Sequence, residues 1–256
     1  MAAQDEQDTS MAMMGHLQEL RKRIIIVLVV FVASFAFSLF FVQRLYRFLI
    51  ANLTHIQTKL IVLGPTDIIK VYFMIAGFMA ITLTLPVILW QLWRFVAPAL
   101  TPRERRFSLS YIPFIFLLFV GGVAFGYFVV FPNIFHFLVR INGGMFSMLF
   151  TTDKYFGFMV NLVLPFGILF ELPVVVVFLT SLGILSPKRM RKMRKMAYLG
   201  LVILATMISP PDFVSHSLVA VPLLLLYEVC VSVCGFAYRR RQRRLAAAER
   251  ELNATV

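Results

Sequence analysis

The stretch Ile24-Ile25-Ile26-Val27-Leu28-Val29-Val30-Phe31-Val32-Ala33-Ser34-Phe35-Ala36-Phe37-Ser38-Leu39-Phe40-Phe41-Val42 holds 19 residues without a charge and follows directly on Arg21-Lys22-Arg23. As a helix rising 1.5 Å per residue it reaches about 28 Å, close to the thickness of a bilayer's hydrocarbon layer. It reads as a membrane span. Downstream, the runs Val71 to Phe95, Phe107 to Phe131 and Phe158 to Leu182 meet the same requirement. Two more apolar runs, Ala197 to Ile208 and Val214 to Ala237, flank Ser209-Pro210-Pro211-Asp212, whose prolines end a helix and force a reversal. The fifth run has only 12 residues, about 18 Å of helix, and needs a thinned bilayer or longer neighbours to lean on. An all-α polytopic membrane protein with six transmembrane helices, the fifth short, is the expected fold.

Composition agrees. The 256 residues are 60% hydrophobic and 14% charged, with 27 Phe and a mean hydropathy of +0.86, outside the range of soluble domains. The net charge of +13 does not point to nucleic acid, because the basic residues punctuate apolar runs instead of forming one face. Of the 25 Lys and Arg, 19 precede span one, lie between spans two and three or four and five, or follow span six. The other 6 (Arg44, Arg47, Lys59, Lys70, Arg140 and Lys154) fall in the opposite loops, so the positive-inside rule puts both termini in the cytoplasm. Acidic Asp5, Glu6 and Asp8 and the length of the first run argue for an anchor and against a cleaved signal peptide. Residues 1–12 are expected to be disordered, 239–256 to be a basic cytoplasmic tail, and the outer loops 43–70 and 132–157 to form short capping helices.

Few residues stand out for chemistry. Glu19 and Glu104 are carboxylates on the basic, cytoplasmic side, in Leu17-Gln18-Glu19-Leu20-Arg21 and Pro102-Arg103-Glu104-Arg105-Arg106, and each is a potential receptor for a cation. Glu171 falls near the middle of span four, where a carboxylate must be protonated, paired or wetted. Pro165, Gly167 and Pro173 surround it and are expected to bend the helix. Glu228 reads as a second buried acid, in span six. Asp212 is expected to cap that helix, with His216 on its first turn. Gly122 and Gly126 form a small-xxx-small face for close helix approach, and Cys230 and Cys234 read as apolar packing residues. The four His lie in separate segments without ligand spacing, so no metal or other cofactor is expected. Motifs for hydrolysis or for cradling phosphate are missing too, so the chain is not expected to be an enzyme.

The pattern His16-Leu17-Gln18-Glu19-Leu20-Arg21-Lys22-Arg23, the segment Pro86 to Leu100 with Trp90, Trp93 and Phe95, then Glu104-Arg105, Phe125-Gly126-Tyr127-Phe128, Phe166 to Pro173, Pro210-Pro211-Asp212 and Tyr227-Glu228 together resemble the TatC family. These proteins are the multispanning receptors of the twin-arginine translocase. The resemblance implies a single glove-like bundle with short fifth and sixth helices in the bacterial inner membrane. It also implies a multi-copy complex with TatA-like and TatB-like single-span proteins, which exports folded cargo using the proton gradient. Carried onto this chain, Glu19, Leu20, Phe95, Glu104 and Arg105 would receive twin-arginine signal peptides. Glu171 and Glu228 would be intramembrane polar docking residues, with Asp212 and His216 at the outer face. Asn52, Met74 and His216 depart from the family pattern, which bears on outer-face contacts.

A proton-coupled secondary transporter using Glu171 and Glu228 is the competing reading, and it predicts repeated halves that the sequence does not show. The sequence leaves open whether Glu19 and Glu104 share one ligand or are held in local pairs with Arg23 and Arg105.

Overall fold

The computed structural model describes residues 2–50, 60–96, 112–143, 145 and 148–254, and these form two compact units.

The first unit comprises residues 1–116 and 149–156. Helix α1 (Ala2–Ile50) continues through the first outer-loop residues and reaches back to Ala2, through the segment expected to be disordered. It packs along α2 (Pro65–Val96). Phe35 and Phe73 stack between them with centroids 5.6 Å apart, and Val42, Leu49, Val71, Ile75, Ala76 and Ala80 are buried. Leu60-Ile61-Val62-Leu63 was expected in a capping helix; Leu60 and Ile61 instead form a strand, β1 (Leu60–Ile61). It pairs in parallel with β2 (Phe150–Thr151), and the Thr152 hydroxyl donates to the Ile61 carbonyl at 3.1 Å. The physical reason is length: an apolar run cut off by Gly64-Pro65 cannot offset the cost of nucleating a helix, and pairing satisfies its backbone instead.

The second unit comprises residues 117–148 and 157–256. Helix α3 (Ile112–Phe125) runs through a π-turn, Gly126–Val130, into α4 (Phe131–Ile141). The second outer loop is thus partly an extension of the third span and not a separate cap. Pro132 lacks an N–H for the regular ladder, and the Phe131 amide reaches back to the Gly126 carbonyl. Helix α5 (Thr152–Leu169) is followed by α6 (Leu172–Ser181), α7 (Pro187–Lys192), α8 (Arg194–Ile208) and α9 (Phe213–Ala254). Ser186 caps α7, its hydroxyl accepting from the Arg189 amide. Asp212 caps α9 as expected, accepting from the Ser215 amide at 2.7 Å.

Small residues set the spacing of α3 and α5. A Cβ on Gly122 would lie 2.6 Å from the Phe166 carbonyl oxygen, and one on Gly167 would lie 2.8 Å from Val123. Phe119 and Phe166 are fully buried beside them. Cys230 and Cys234 pack with Val176, Met190 and Val231, and the Cys234 sulfur lies 3.2 Å from the Thr180 hydroxyl.

Among the described residues, five helical stretches are long and apolar enough to cross a membrane: Gln18–Ile50, Pro65–Leu92, Phe114–Ile141, Thr152–Ser181 and Phe213–Arg243. The fifth apolar run is the short element the sequence called for, since α8 has 15 residues, about 22 Å. The sixth is longer than the resemblance implied: α9 has 42 residues and carries its apolar part straight into the arginines of the tail.

Gly122→Ala should lower stability by about 1–3 kcal/mol, the usual result of overpacking, read as thermal unfolding in detergent. Gly121→Ala, where an added Cβ meets nothing within 4 Å, should change it little.

Candidate functional site

Glu19 lies on α1 one turn before Arg23, the i,i+4 spacing that brings two side chains together on a helix. The Glu19 carboxylate is ion-paired with the Arg23 guanidinium. Arg23 also donates to the Gln91 carbonyl of α2 at 3.1 Å, so one side chain joins the two helices at their charged ends. The Arg23 side chain is only 10% exposed, whereas Glu19 is 40% exposed. A buried cation thus holds an accessible acid in place. Leu20, beside it, is exposed. Phe95 belongs to the last turn of α2, and its side chain lies outside the described residues, as do Glu104 and Arg105.

Glu171 sits at the joint between α5 and α6. Pro173 has no amide hydrogen to give the Leu169 carbonyl, so the helical ladder breaks there. The Glu171 amide donates to Ile168 at 3.1 Å, and its carbonyl accepts from Val174 and Val175 at 3.0 and 3.1 Å. The bend expected from the prolines is a true interruption. The side chain is 9% exposed, and among the described residues neither carboxylate oxygen has a hydrogen-bond partner.

Glu228 is the correction. It was expected to be a second buried acid in span six, yet its side chain is 38% exposed and paired with Arg194 of α8 at 2.6 Å. The Tyr198 hydroxyl donates to its other oxygen, and the neighbouring Tyr227 donates to the Met190 carbonyl at 2.9 Å. Arg194 and Tyr198 were missed because their partner lies in the next helix; only the turn at Ser209-Pro210-Pro211-Asp212, which folds α8 back on α9, could have suggested the pairing. His216 donates its amide to the Asp212 carbonyl, and its Nδ1 is buried without a partner among the described residues.

Residues 15–222 match the family described as Sec-independent protein translocase protein (TatC). The chain belongs to the TatC family. Among its relatives, the Sec-independent protein translocase protein TatCd of Bacillus subtilis (strain 168) is 50% identical over 244 residues, covering 95% of this chain and 99% of the relative. TatCy of the same organism is 40% identical over 245 residues, covering 95% and 96%. The crystal structure of a twin-arginine translocase receptor, TatC, superposes with a TM-score of 0.78 at 32% identity, covering 87% of this chain and 99% of that one. The protein is thus an all-α, multi-pass TatC translocase component, and the transporter reading is not favoured. Glu19, Leu20, Phe95, Glu104, Arg105, Glu171, Asp212 and His216 fall inside the matched TatC region, whereas Glu228 falls just beyond it.

If the Glu228–Arg194 contact fixes the short helix α8 against α9, Glu228→Gln and Arg194→Gln should be non-additive. Both side chains are more than a third exposed, so a coupling of about 1 kcal/mol or less is expected from a double-mutant cycle on thermal unfolding.

Proposed function

We propose that this chain is the receptor for twin-arginine signal peptides, with the arginine pair met by Glu19 and Glu104. The observation that carries this reading is that Glu19 already holds a guanidinium. Arg23 occupies it from the buried side while the carboxylate stays accessible, so an incoming arginine can share the acid or exchange with Arg23. A carboxylate accepts two parallel hydrogen bonds from the planar guanidinium fork, which a lysine ammonium cannot reproduce. The basic residues around both acids repel unpaired cations and keep binding selective. Leu20 and Phe95 supply apolar contact beside the charge, and Arg105 flanks Glu104.

Both termini lie in the cytoplasm on this reading, and the membrane is the bacterial inner membrane. The chain works without catalysis of its own and without a cofactor, as a single domain in a multi-copy complex with TatA-like and TatB-like subunits, powered by the proton gradient. Glu171, buried at a helix break with neither carboxylate oxygen hydrogen-bonded among the described residues, offers a docking point for a polar group of a neighbouring membrane helix; Glu228 supports this surface indirectly by fixing α8. Asp212 and His216 shape the outer end of α9.

The test is photo-crosslinking from a probe at position 103 to a twin-arginine signal peptide and its twin-lysine counterpart, in membranes that keep Glu104 and in Glu104→Lys membranes, with the probe at the same position in both. The arginine peptide should crosslink strongly only where Glu104 is kept; equal crosslinking in all four combinations would sink the assignment. For Glu171, Gln should preserve most co-purification of the single-span subunits and Leu should weaken it, because a hydrogen bond is what the site lacks.

A further inference from the structure

In the first unit, the end of α1 and the start of α2 enclose a cavity of about 320 Å³. Apolar Val62, Ile68 and Val71 line it, and among its polar lining residues are Gln43, Arg47, Tyr72 and Thr152. The arrangement is amphiphilic, with a greasy slot under a cationic, hydrogen-bonding rim. Arg47 donates through Nε to the Gln43 carbonyl at 3.4 Å and makes no ion pair among the described residues. The Gln43 amide donates to the Tyr72 hydroxyl at 3.3 Å, which leaves the tyrosine proton available to an external acceptor. Arg44 is exposed on the same turn of α1. Two acids lie nearby and both face lysines: Asp67 on α2 is engaged by Lys70 at 3.8 Å, and Asp153, next to the lining residue Thr152, interacts with Lys154 and Lys70.

We infer that this cavity binds an anionic phospholipid, its headgroup at Arg47 and Tyr72 and one acyl chain against Val62, Ile68 and Val71. Two features select this occupant. The first is charge: Arg44 and Arg47 fall on the side of the membrane that holds only 6 of the 25 Lys and Arg, where cations are disfavoured unless something there uses them. The second is position. The cavity lies between the end of Gln18–Ile50 and the start of Pro65–Leu92, two stretches long and apolar enough to cross a membrane, and the end of such a stretch is where a span leaves the hydrocarbon layer; Leu63, Ile69 and Phe73, adjacent in sequence to lining residues, are exposed apolar side chains. The strand pair beneath, anchored by Thr152 on Ile61 and by Tyr46 stacked on Phe156 at 5.3 Å, holds the walls apart. This inference is independent of the signal-peptide reading.

The test uses the full chain in vesicles of equal phosphatidylglycerol and phosphatidylcholine with identical acyl chains. A photoreactive benzoylphenylalanine at Ile68 reports the cavity, and one at Leu28, exposed about one turn into the first span, reports bulk lipid. At position 68 the ratio of phosphatidylglycerol to phosphatidylcholine adducts should exceed that at position 28 by about fivefold, the enrichment one cation gives an anionic lipid. Arg47→Gln and Arg47→Met, the latter keeping the bulk of the stem, should both bring it down to the position 28 ratio while leaving adducts at 28 unchanged. Equal ratios at the two positions, or an enrichment that survives loss of Arg47, would overturn the site.

Discussion

The hydrocarbon layer offers no water to a stranded polar group, and the architecture follows from that constraint. Several hydroxyls within the spans are turned back onto their own helix, whereas those of Thr84 and Ser215 are buried without a partner among the described residues. Ser38 donates to Ser34, Thr82 to Phe78, Thr180 to Val176 and Ser217 to Phe213, each to the carbonyl four residues earlier. Such bonds remove a side chain's claim on its surroundings. Helices can then pack through apolar surface and through the small residues at Gly122 and Gly167.

The acids depart from this economy in two different ways. Glu19 and Glu228 are each matched by an arginine of the same chain. Glu171 is not matched within the described residues, and it stands where Pro173 has broken the ladder. A family of translocase components assembles with other membrane proteins, so a carboxyl group left unsatisfied in one chain is intelligible as a group that another chain completes. Arg23 shows the complementary device: by gripping the Gln91 carbonyl while holding Glu19, it orients an accessible carboxylate on a rigid helix pair.

Much of this was legible in the sequence, and what was not has physical causes. The apolar runs revealed the multi-pass helical architecture and the short α8 because length and hydropathy are local properties. Asp212 as a helix cap and the helix-packing role of Gly122 were readable for the same reason. The Leu60–Ile61 strand was not, since its partner is Phe150–Thr151, far along the chain. Glu228 was misjudged similarly: depth in a span is visible locally, but Arg194 reaches it from α8 across a turn. The Glu19–Arg23 spacing was visible, while the reach of Arg23 to Gln91 on α2 was not. Glu104 rests on sequence and family membership alone.

The central claim is that a carboxylate at each of two positions selects arginine in one bound peptide. The most direct measurement is a double-mutant cycle on affinity, titrating twin-arginine and arginine-to-lysine signal peptides into the purified chain and its Glu19→Gln and Glu104→Gln variants. Direct pairing predicts that each acid couples to one arginine by about 1.4 kcal/mol or more, a tenfold effect on Kd that vanishes when either partner is already changed. Additive losses at both positions would contradict it and move the arginine site elsewhere on the chain.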